Sequence, residues 1–230
     1  MSVLELAIGW LAPVECINCN LEGRSLCAGC AATEIIPFGE RCYQCNKLSA
    51  GGRTCATCRA SSPRHVWITT DYEGLPKNLV QKLKFAHQRA AVLPLADLMA
   101  ETLLTFIPET EVTRKNYLVV PIPTATSRVR QRSFDHTEHL AARLSKILNL
   151  SANTTLKRLG QSRQVGAKRE IRAKQAAGNY YIFNASAIRG RHILLIDDVI
   201  TTGATLRAAT AALRKAGAKT VDALVFAKRL

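Results

Sequence analysis

The chain has 230 residues, enough for one well-buried domain and at most a small added module. It is 47% hydrophobic with a mean hydropathy of +0.01, and no apolar run approaches the roughly 20 residues that a membrane helix needs. Met1 to Pro13 is apolar but carries no basic residue and no small-residue cleavage site, so it fails as a signal peptide. Secreted, membrane-spanning and disordered classes are thereby not expected, and a cytoplasmic location is. The net charge of +15 is uneven. Residues 1–60 balance five Lys/Arg against five Asp/Glu, whereas 61–230 hold 27 basic and 12 acidic residues. The densest stretch, Arg128 to Lys174, has 12 basic against three acidic residues, a surface that attracts phosphorylated small molecules or nucleic acid.

The cysteines come first along the chain. All eight lie between positions 16 and 58 as four Cys-x-x-Cys pairs: Cys16/Cys19, Cys27/Cys30, Cys42/Cys45 and Cys55/Cys58. Each such turn brings two thiolates to one tetrahedral ion, and two turns close a four-cysteine zinc site. Four turns therefore predict two Zn2+ sites. Disulfides do not suit a chain without an export signal, and a redox pair does not come in four copies. Between Cys16 and Ala60 the large apolar residues are Ile17, Leu21, Leu26, Ile35, Ile36, Phe38, Tyr43 and Leu48. So few side chains cannot fold the segment, whereas bound zinc contributes on the order of 10 kcal/mol. Four thiolates leave no open position for water, so both sites are structural. Spacing permits sequential or interleaved pairing of the four turns.

Ser61 to His65 reads as a short linker, and Val66–Tyr72 (VWITTDY) as a strand. Amphipathic helices are predicted over Pro76–Phe85 and Ala90–Phe106, the second from Val92, Leu95, Leu98, Met99 and Leu103 at helical spacing. Tyr117–Ile122 is a short buried strand stopped by Pro123. Asp135 then caps a helix to about Leu148, with Glu138 completing a capping box. Arg158–Gly178 is polar, basic and aperiodic, as expected of a long mobile loop. His192–Ile196 is a strand, Thr205–Ala216 a helix ended by Gly217, and Thr220–Ala227 a strand. Strand, helix and strand with a short return imply a right-handed parallel crossover, hence an α/β domain.

The most informative stretch is Ile193–Thr205 (ILLIDDVITTGAT). Four aliphatic residues form a buried parallel strand, and Asp197 and Asp198 follow at its carboxyl end, where open α/β sheets bind ligands. A turn of hydroxyl residues around Gly203 then opens the next helix. The N–H groups at that helix start, at Gly203, Ala204 and Thr205, together with the hydroxyls of Thr201, Thr202 and Thr205, can hold a phosphate monoester. Gly203 lets the backbone approach closely, and two adjacent carboxylates suit the two hydroxyls of a ribose. Neither a Walker loop nor a dinucleotide fingerprint is present.

These 13 positions resemble the phosphoribosyl pyrophosphate (PRPP) signature of type I phosphoribosyltransferases. The resemblance extends along the chain. The four-pair cysteine module, Leu83-Lys84-Phe85, Val120-Pro121-Ile122-Pro123, Arg132 to His136 and the late signature are similar to the ComF family. That family, which includes GntX-type proteins, is associated with DNA uptake in natural transformation. Its usual Arg-Gly-Phe-Asn-Gln stands here as Arg132-Ser133-Phe134-Asp135-His136, and its Gln and Arg-x-x-Asn positions as Gln164 and Arg172-Ala-Lys-Gln175.

The resemblance implies a double zinc ribbon over 1–60, with a short amino-terminal apolar helix, and a phosphoribosyltransferase-like parallel sheet flanked by helices over 61–230. It implies PRPP with Mg2+ as ligand, pyrophosphate contacts at Thr124 and in the loop Pro121–Thr126, and a basic loop closing over substrate. Lys84, Arg128 and Arg132 are further pyrophosphate candidates by charge and location. His136 reads as a first-turn helix residue rather than a general base. Arg163, Lys168, Arg169, Arg172 and Lys174 are the candidate contacts to single-stranded DNA. Three functions compete: a competence factor that binds PRPP and DNA, an active phosphoribosyltransferase with an unidentified acceptor, and an adaptor whose ribbons dock a DNA-uptake helicase or channel protein.

Overall fold

The computed structural model of the chain describes residues 14–84, 91–124, 134–158 and 180–229. The expected amino-terminal helix, Phe85, Arg128, Arg132, Ser133 and the segment 159–179 lie outside the described residues. That segment includes Arg163, Gln164, Lys168, Arg169, Arg172, Lys174 and Gln175.

In chain order the described elements begin with α1 (Ala28–Glu34) in the cysteine-bearing segment, followed by β1 (Val66–Asp71), α2 (Gly74–Leu83) and α3 (Val92–Phe106). Next come α4 (Glu109–Lys115), β2 (Leu118–Pro121), α5 (His136–Ile147), β3 (Ser151–Ala152) and β4 (Leu156–Arg158). The last are β5 (Tyr180–Ile182), β6 (His192–Ile200), α6 (Ala204–Lys215) and β7 (Thr220–Lys228). Five strands form one sheet in the order β1-β7-β6-β2-β3, every neighbouring pair parallel. β4 and β5 pair separately as an antiparallel ribbon.

A parallel sheet covered on both faces needs apolar residues at successive positions, and the aliphatic runs supply them. Alternation divides those runs between two cores. Leu194, Ile196, Leu224 and Phe226 face α2, α3 and α5, packing with Leu79, Leu83, Leu95, Met99, Leu140 and Leu144. Ile193, Leu195, Ala223 and Val225 face α6, with Leu206, Ala209 and Leu213. The cysteine segment contributes to both cores: Cys16, Leu26 and Cys30 join the first, Phe38 and Tyr43 the second.

The predicted elements are present with shifted ends. α2 begins at Gly74, whose φ of 48° is left-handed, so Pro76 sits in the first turn, where its missing N–H costs nothing. Asp135 caps α5 by accepting from the Thr137 N–H. The reciprocal half of the box, Glu138 to the Asp135 N–H, is not formed among the described residues. β6 does not stop at Ile196 but runs through both aspartates to Ile200, because β7 continues to pair with it: Asp197 opposes Val225 and Ile200 opposes Lys228.

The Ser61–His65 segment is tied down rather than a free linker. Arg64 donates to both carboxylate oxygens of Asp222, at 3.2 and 2.8 Å, and the His65 N–H donates to Oδ1 at 3.1 Å. The Tyr117 hydroxyl donates to Oδ2 at 2.8 Å. Burial pushes the Asp222 carboxyl up, but the bonds from His65 and Arg64 outweigh it and hold the pKa at about 2. A depressed pKa stabilises the fold above the unfolded carboxyl range, and that contribution is lost as pH falls through the folded value. Asp222→Asn should therefore cost about 2–3 kcal/mol in urea unfolding at neutral pH. The gap to the wild type should narrow between about pH 4 and pH 2. A neutral-pH gap near zero would show that the network adds no stability.

Candidate functional site

Where β2 ends, the sheet opens. The β2–β6 ladder closes at Pro121 opposite Ile196, followed by one bond from the Ile122 N–H to the Ile196 carbonyl at 2.9 Å. Pro123 has no N–H with which to continue. Among the described residues β6 is paired beyond that point on the β7 side alone, and a cavity of about 430 Å3 lies at the carboxyl ends of the strands. The chain leaves β2 toward β3 on one side and β6 toward β7 on the other. The cavity thus sits at the topological switch point, where open α/β sheets bind ligands.

Asp197, Asp198, Thr201, Thr205, Thr124 and Lys84 all line this cavity, so six of the residues singled out from sequence converge there. Thr202, Gly203 and Ala204 form the turn behind it. Gly203 is the N-cap of α6, with φ 71°, and has no side chain to cap it; the Ala204 N–H meets Thr202 Oγ1 at 3.4 Å, and the positive end of the helix dipole faces the turn. Arg128, Arg132 and the five DNA candidates are outside the described residues.

The two carboxylates are not equivalent. Asp198 Oδ2 accepts from Lys84 Nζ at 2.8 Å and lies 3.1 Å from His136 Nε2, while Oδ1 accepts the Val199 N–H at 2.8 Å. Burial opposes ionisation of Asp198, but His136 and Lys84 hold its pKa below the usual carboxylate range. Asp197 is pushed well above that range, by burial first and then by the charge of Asp198. Lys84, expected at pyrophosphate, thus reaches into the site from the C-cap of α2 onto Asp198. His136 is the first residue of α5, as expected, yet its ring is buried against Asp198, and its Nδ1 finds no partner among the described residues. Thr124 donates its N–H and its hydroxyl to Asp135, at 3.0 and 2.9 Å, so the α5 cap also pins the turn after β2.

Three cavity residues were not legible in the sequence, Tyr72, Tyr180 and Arg229, whereas Arg158 opens the basic stretch Arg158–Lys174 expected to close over substrate. Arg158 lies over the Tyr180 ring, 5.8 Å from its centroid. Arg229 follows β7 and donates its N–H to the Ile200 carbonyl at 2.8 Å. Each of those three depends on strand ends meeting across the sheet, and local patterning carries no signal for that.

The cysteines form two tetrads in sequential pairing, Cys16/Cys19/Cys27/Cys30 and Cys42/Cys45/Cys55/Cys58, with the sulfurs of each within 4.8 Å of one another. No pair is a disulfide. The sulfurs of Cys19 and Cys27 are 3.7 Å apart and those of Cys45 and Cys55 3.6 Å apart. A tetrahedral ion with metal–sulfur bonds of about 2.3 Å needs an edge of about 3.8 Å, so the donor sets fit zinc. Their chemistry points the same way. In the second tetrad, burial opposes ionisation of Cys42, yet backbone N–H groups bring its thiol to about 6, while burial and neighbouring sulfurs push Cys58 to about 12. Four thiolates this close repel one another unless a cation sits between them. The tetrads also share a backbone pattern. The Asn20 and Asn46 N–H groups return to the Cys16 and Cys42 carbonyls at 2.9 and 3.0 Å, and both asparagines are left-handed.

Residues 129–230 match the phosphoribosyl transferase domain family. Together with the parallel sheet and the switch-point cavity, this defines a phosphoribosyl transferase-type α/β protein carrying an amino-terminal cysteine module. Over 226 residues the chain is 25% identical to Competence protein F of Haemophilus influenzae, spanning 90% of this chain and 94% of that one. It is 26% identical over 234 residues to Competence protein ComFC of Bacillus subtilis, spanning 91% and 92%. A glutamine PRPP amidotransferase from B. subtilis aligns in structure with 64% of this chain and 26% of its own, at 16% identity and a TM-score of 0.38. Over about nine-tenths of its length the chain is thus similar to these two competence proteins.

The asymmetry of the carboxylate pair is measurable. Lys84→Met removes the ammonium from Asp198, so that carboxyl should titrate at higher pH than in the wild type. Carbon-13 NMR of the aspartate carboxyls reads the change. An Asp198 resonance that titrates identically in both proteins would show that Lys84 does not hold it.

Proposed function

We propose that the cavity is a PRPP site and that the protein acts as a ComF-type competence factor in DNA uptake during natural transformation. The observation that carries this reading is the meeting of two unlike carboxylates, a helix start with glycine at its N-cap and three threonines in one switch-point cavity of about 430 Å3. In this reading the α6 N–H groups, with Thr201, Thr202 and Thr205, hold the 5-phosphate. Asp197 and Asp198 accept from the ribose hydroxyls, and Thr124 and Lys84 reach the pyrophosphate, joined by Arg128 and Arg132. Mg2+ bound with PRPP would neutralise part of the pyrophosphate charge. His136 keeps the Asp198 carboxylate oriented. The basic segment with Arg163, Lys168, Arg169, Arg172 and Lys174 binds single-stranded DNA through phosphates, as the charge excess after residue 60 supports. DNA-uptake helicase or channel proteins are the expected partners, in the cytoplasm; among the described residues no helix is long and apolar enough to cross a membrane. The division into a 1–60 ribbon module and a 61–230 domain belongs to the same reading. Catalysis is the second reading: the fold family displaces pyrophosphate from C1 of PRPP, and the cationic lining favours that leaving group.

Calorimetry with PRPP and Mg2+ tests the site. Asp197→Asn and Asp198→Asn keep size but remove an anionic acceptor, a loss of roughly 1.5–3 kcal/mol, so affinity should fall about tenfold to a hundredfold. Because Asp197 is raised, it takes up a proton as pH falls and ceases to be an anionic acceptor. Wild-type affinity should therefore weaken on the acid side more than that of Asp197→Asn. Equal affinities in all three proteins would remove the ribose assignment.

We further propose Zn2+ in both tetrads, with a structural role. Elemental analysis should find close to two zinc ions per chain. Chelation should unfold residues 14–60 and loosen Phe38 and Tyr43 from the sheet, read by amide exchange. A metal-free protein with the cysteine segment still folded would overturn it.

A further inference from the structure

The second cysteine tetrad reaches the phosphate turn directly. Tyr43 lies between Cys42 and Cys45 and is buried at 2% exposure, packed with Leu206, Ala209 and Leu213 of α6 in the core on that face of the sheet. Its ring lies against Gly203: a Cβ built on that glycine would stand 2.6 Å from Tyr43 Cε2, inside any van der Waals contact. The Tyr43 hydroxyl donates to Ser62 Oγ at 2.7 Å, and that hydroxyl donates to Gln44 Oε1 at 3.1 Å. The residue before Gly203 is held from α6, where Arg207 Nη1 donates to the Thr202 carbonyl at 3.0 Å. Arg214 of α6 donates to the Ala60 and Ser62 carbonyls, at 2.7 and 2.6 Å. Lys228, at the end of β7, donates to Asn46 in the same cysteine turn. Gly203 is therefore fixed by more than its left-handed φ, since the residue facing it is a buried, hydrogen-bonded aromatic ring carried by a turn of the second cysteine tetrad.

We propose that Tyr43 is a positioning residue for the phosphate turn, so that the metal held by Cys42, Cys45, Cys55 and Cys58 is coupled to the anion held at Thr201–Thr205. The inference rests on the phosphoribosyl reading of the cavity and adds a partner to it: the ribbon is part of the ligand site, not only a neighbour of it. The tetrad sets the place of the ring, and the ring sets the left-handed turn that aims the α6 N–H groups. Linkage makes the effect reciprocal, so ligand at the turn must tighten the tetrad by the same factor. The first tetrad has no such contact with the turn among the described residues and should be indifferent.

Three variants test this in the zinc-loaded protein, with PRPP affinity from calorimetry and thiol alkylation read peptide by peptide by mass spectrometry. Tyr43→Ala should weaken PRPP about tenfold. Tyr43→Phe, which keeps the ring and loses only the Ser62 bond, should restore wild-type affinity. Gly203→Ala should push the ring away and speed alkylation of the Cys42–Cys58 tetrad several-fold, leaving the Cys16–Cys30 tetrad unchanged. PRPP should slow alkylation of the second tetrad in the wild type and in Tyr43→Phe, but not in Tyr43→Ala. Wild-type affinity in Tyr43→Ala, or equal alkylation of the second tetrad in Gly203→Ala and the wild type, overturns the coupling. A wild type that binds no PRPP overturns the phosphoribosyl reading instead, and the Gly203→Ala alkylation then decides the coupling by itself.

Discussion

The mismatch in length between β2 and β6 organises the molecule. β2 has four residues, ends at Pro121 and is followed by Ile122-Pro123, while β6 has nine and continues under the support of β7. A strand that outruns its neighbour leaves one edge without a partner, and here that edge carries Asp197 and Asp198. Had β2 continued for two more residues, its backbone would fill the space that is now the cavity. Pro123, just after β2, thus shapes the site as much as the carboxylates do. It stops the ladder and leaves the turn to be pinned by Asp135 instead.

Two adjacent buried carboxylates would repel each other and be poorly solvated. The fold resolves this by giving the nitrogen partners to one of them. Lys84 comes from the end of one helix and His136 from the start of another, and both meet Asp198 Oδ2. Asp198 remains ionised and Asp197 takes the cost, so two chemically identical residues differ in acidity. A ligand hydroxyl arriving at Asp198 meets an acceptor already shared by two donors, whereas Asp197 faces it from a less committed position.

Much of this was readable from local pattern. The aliphatic run, the paired aspartates and the threonine-glycine turn occupy consecutive positions, so one glance at Ile193–Thr205 locates the site. Four identically built cysteine pairs imply two tetrads, though spacing left their pairing open, and sequential pairing emerged only from the fold. The rest required distance. β3, β4 and β5 have two or three residues each, too few to carry a period. α4, with seven residues, is likewise short. The end of β6 was misjudged because two aspartates look like the close of a strand until β7 is seen beside them. Arg64 with Asp222 and Tyr43 with Gly203 are separated by most of the chain, and nothing in either neighbourhood announces the other. Gly203 itself was read as a residue that admits phosphate, whereas its lack of a side chain also admits a tyrosine.

The sheet order carries a consequence for how the chain assembles. β1 emerges early in synthesis, yet its strand neighbour among the described residues is β7, and the Arg64–Asp222 clamp beside them joins residues far apart; His65 and Asp222 are 157 positions from each other. The cysteine tetrads need only about 15 residues of chain each to close, so they can take metal while most of the sheet is still unmade. β1 must then wait, with its polar edge unpaired, until β7 arrives to insert between it and β6. Such long-range parallel pairing slows folding and exposes an edge meanwhile. A pre-formed ribbon holding Phe38 and Tyr43 against that side offers the waiting strand temporary cover, which gives the cysteines a part in synthesis before any ligand is bound.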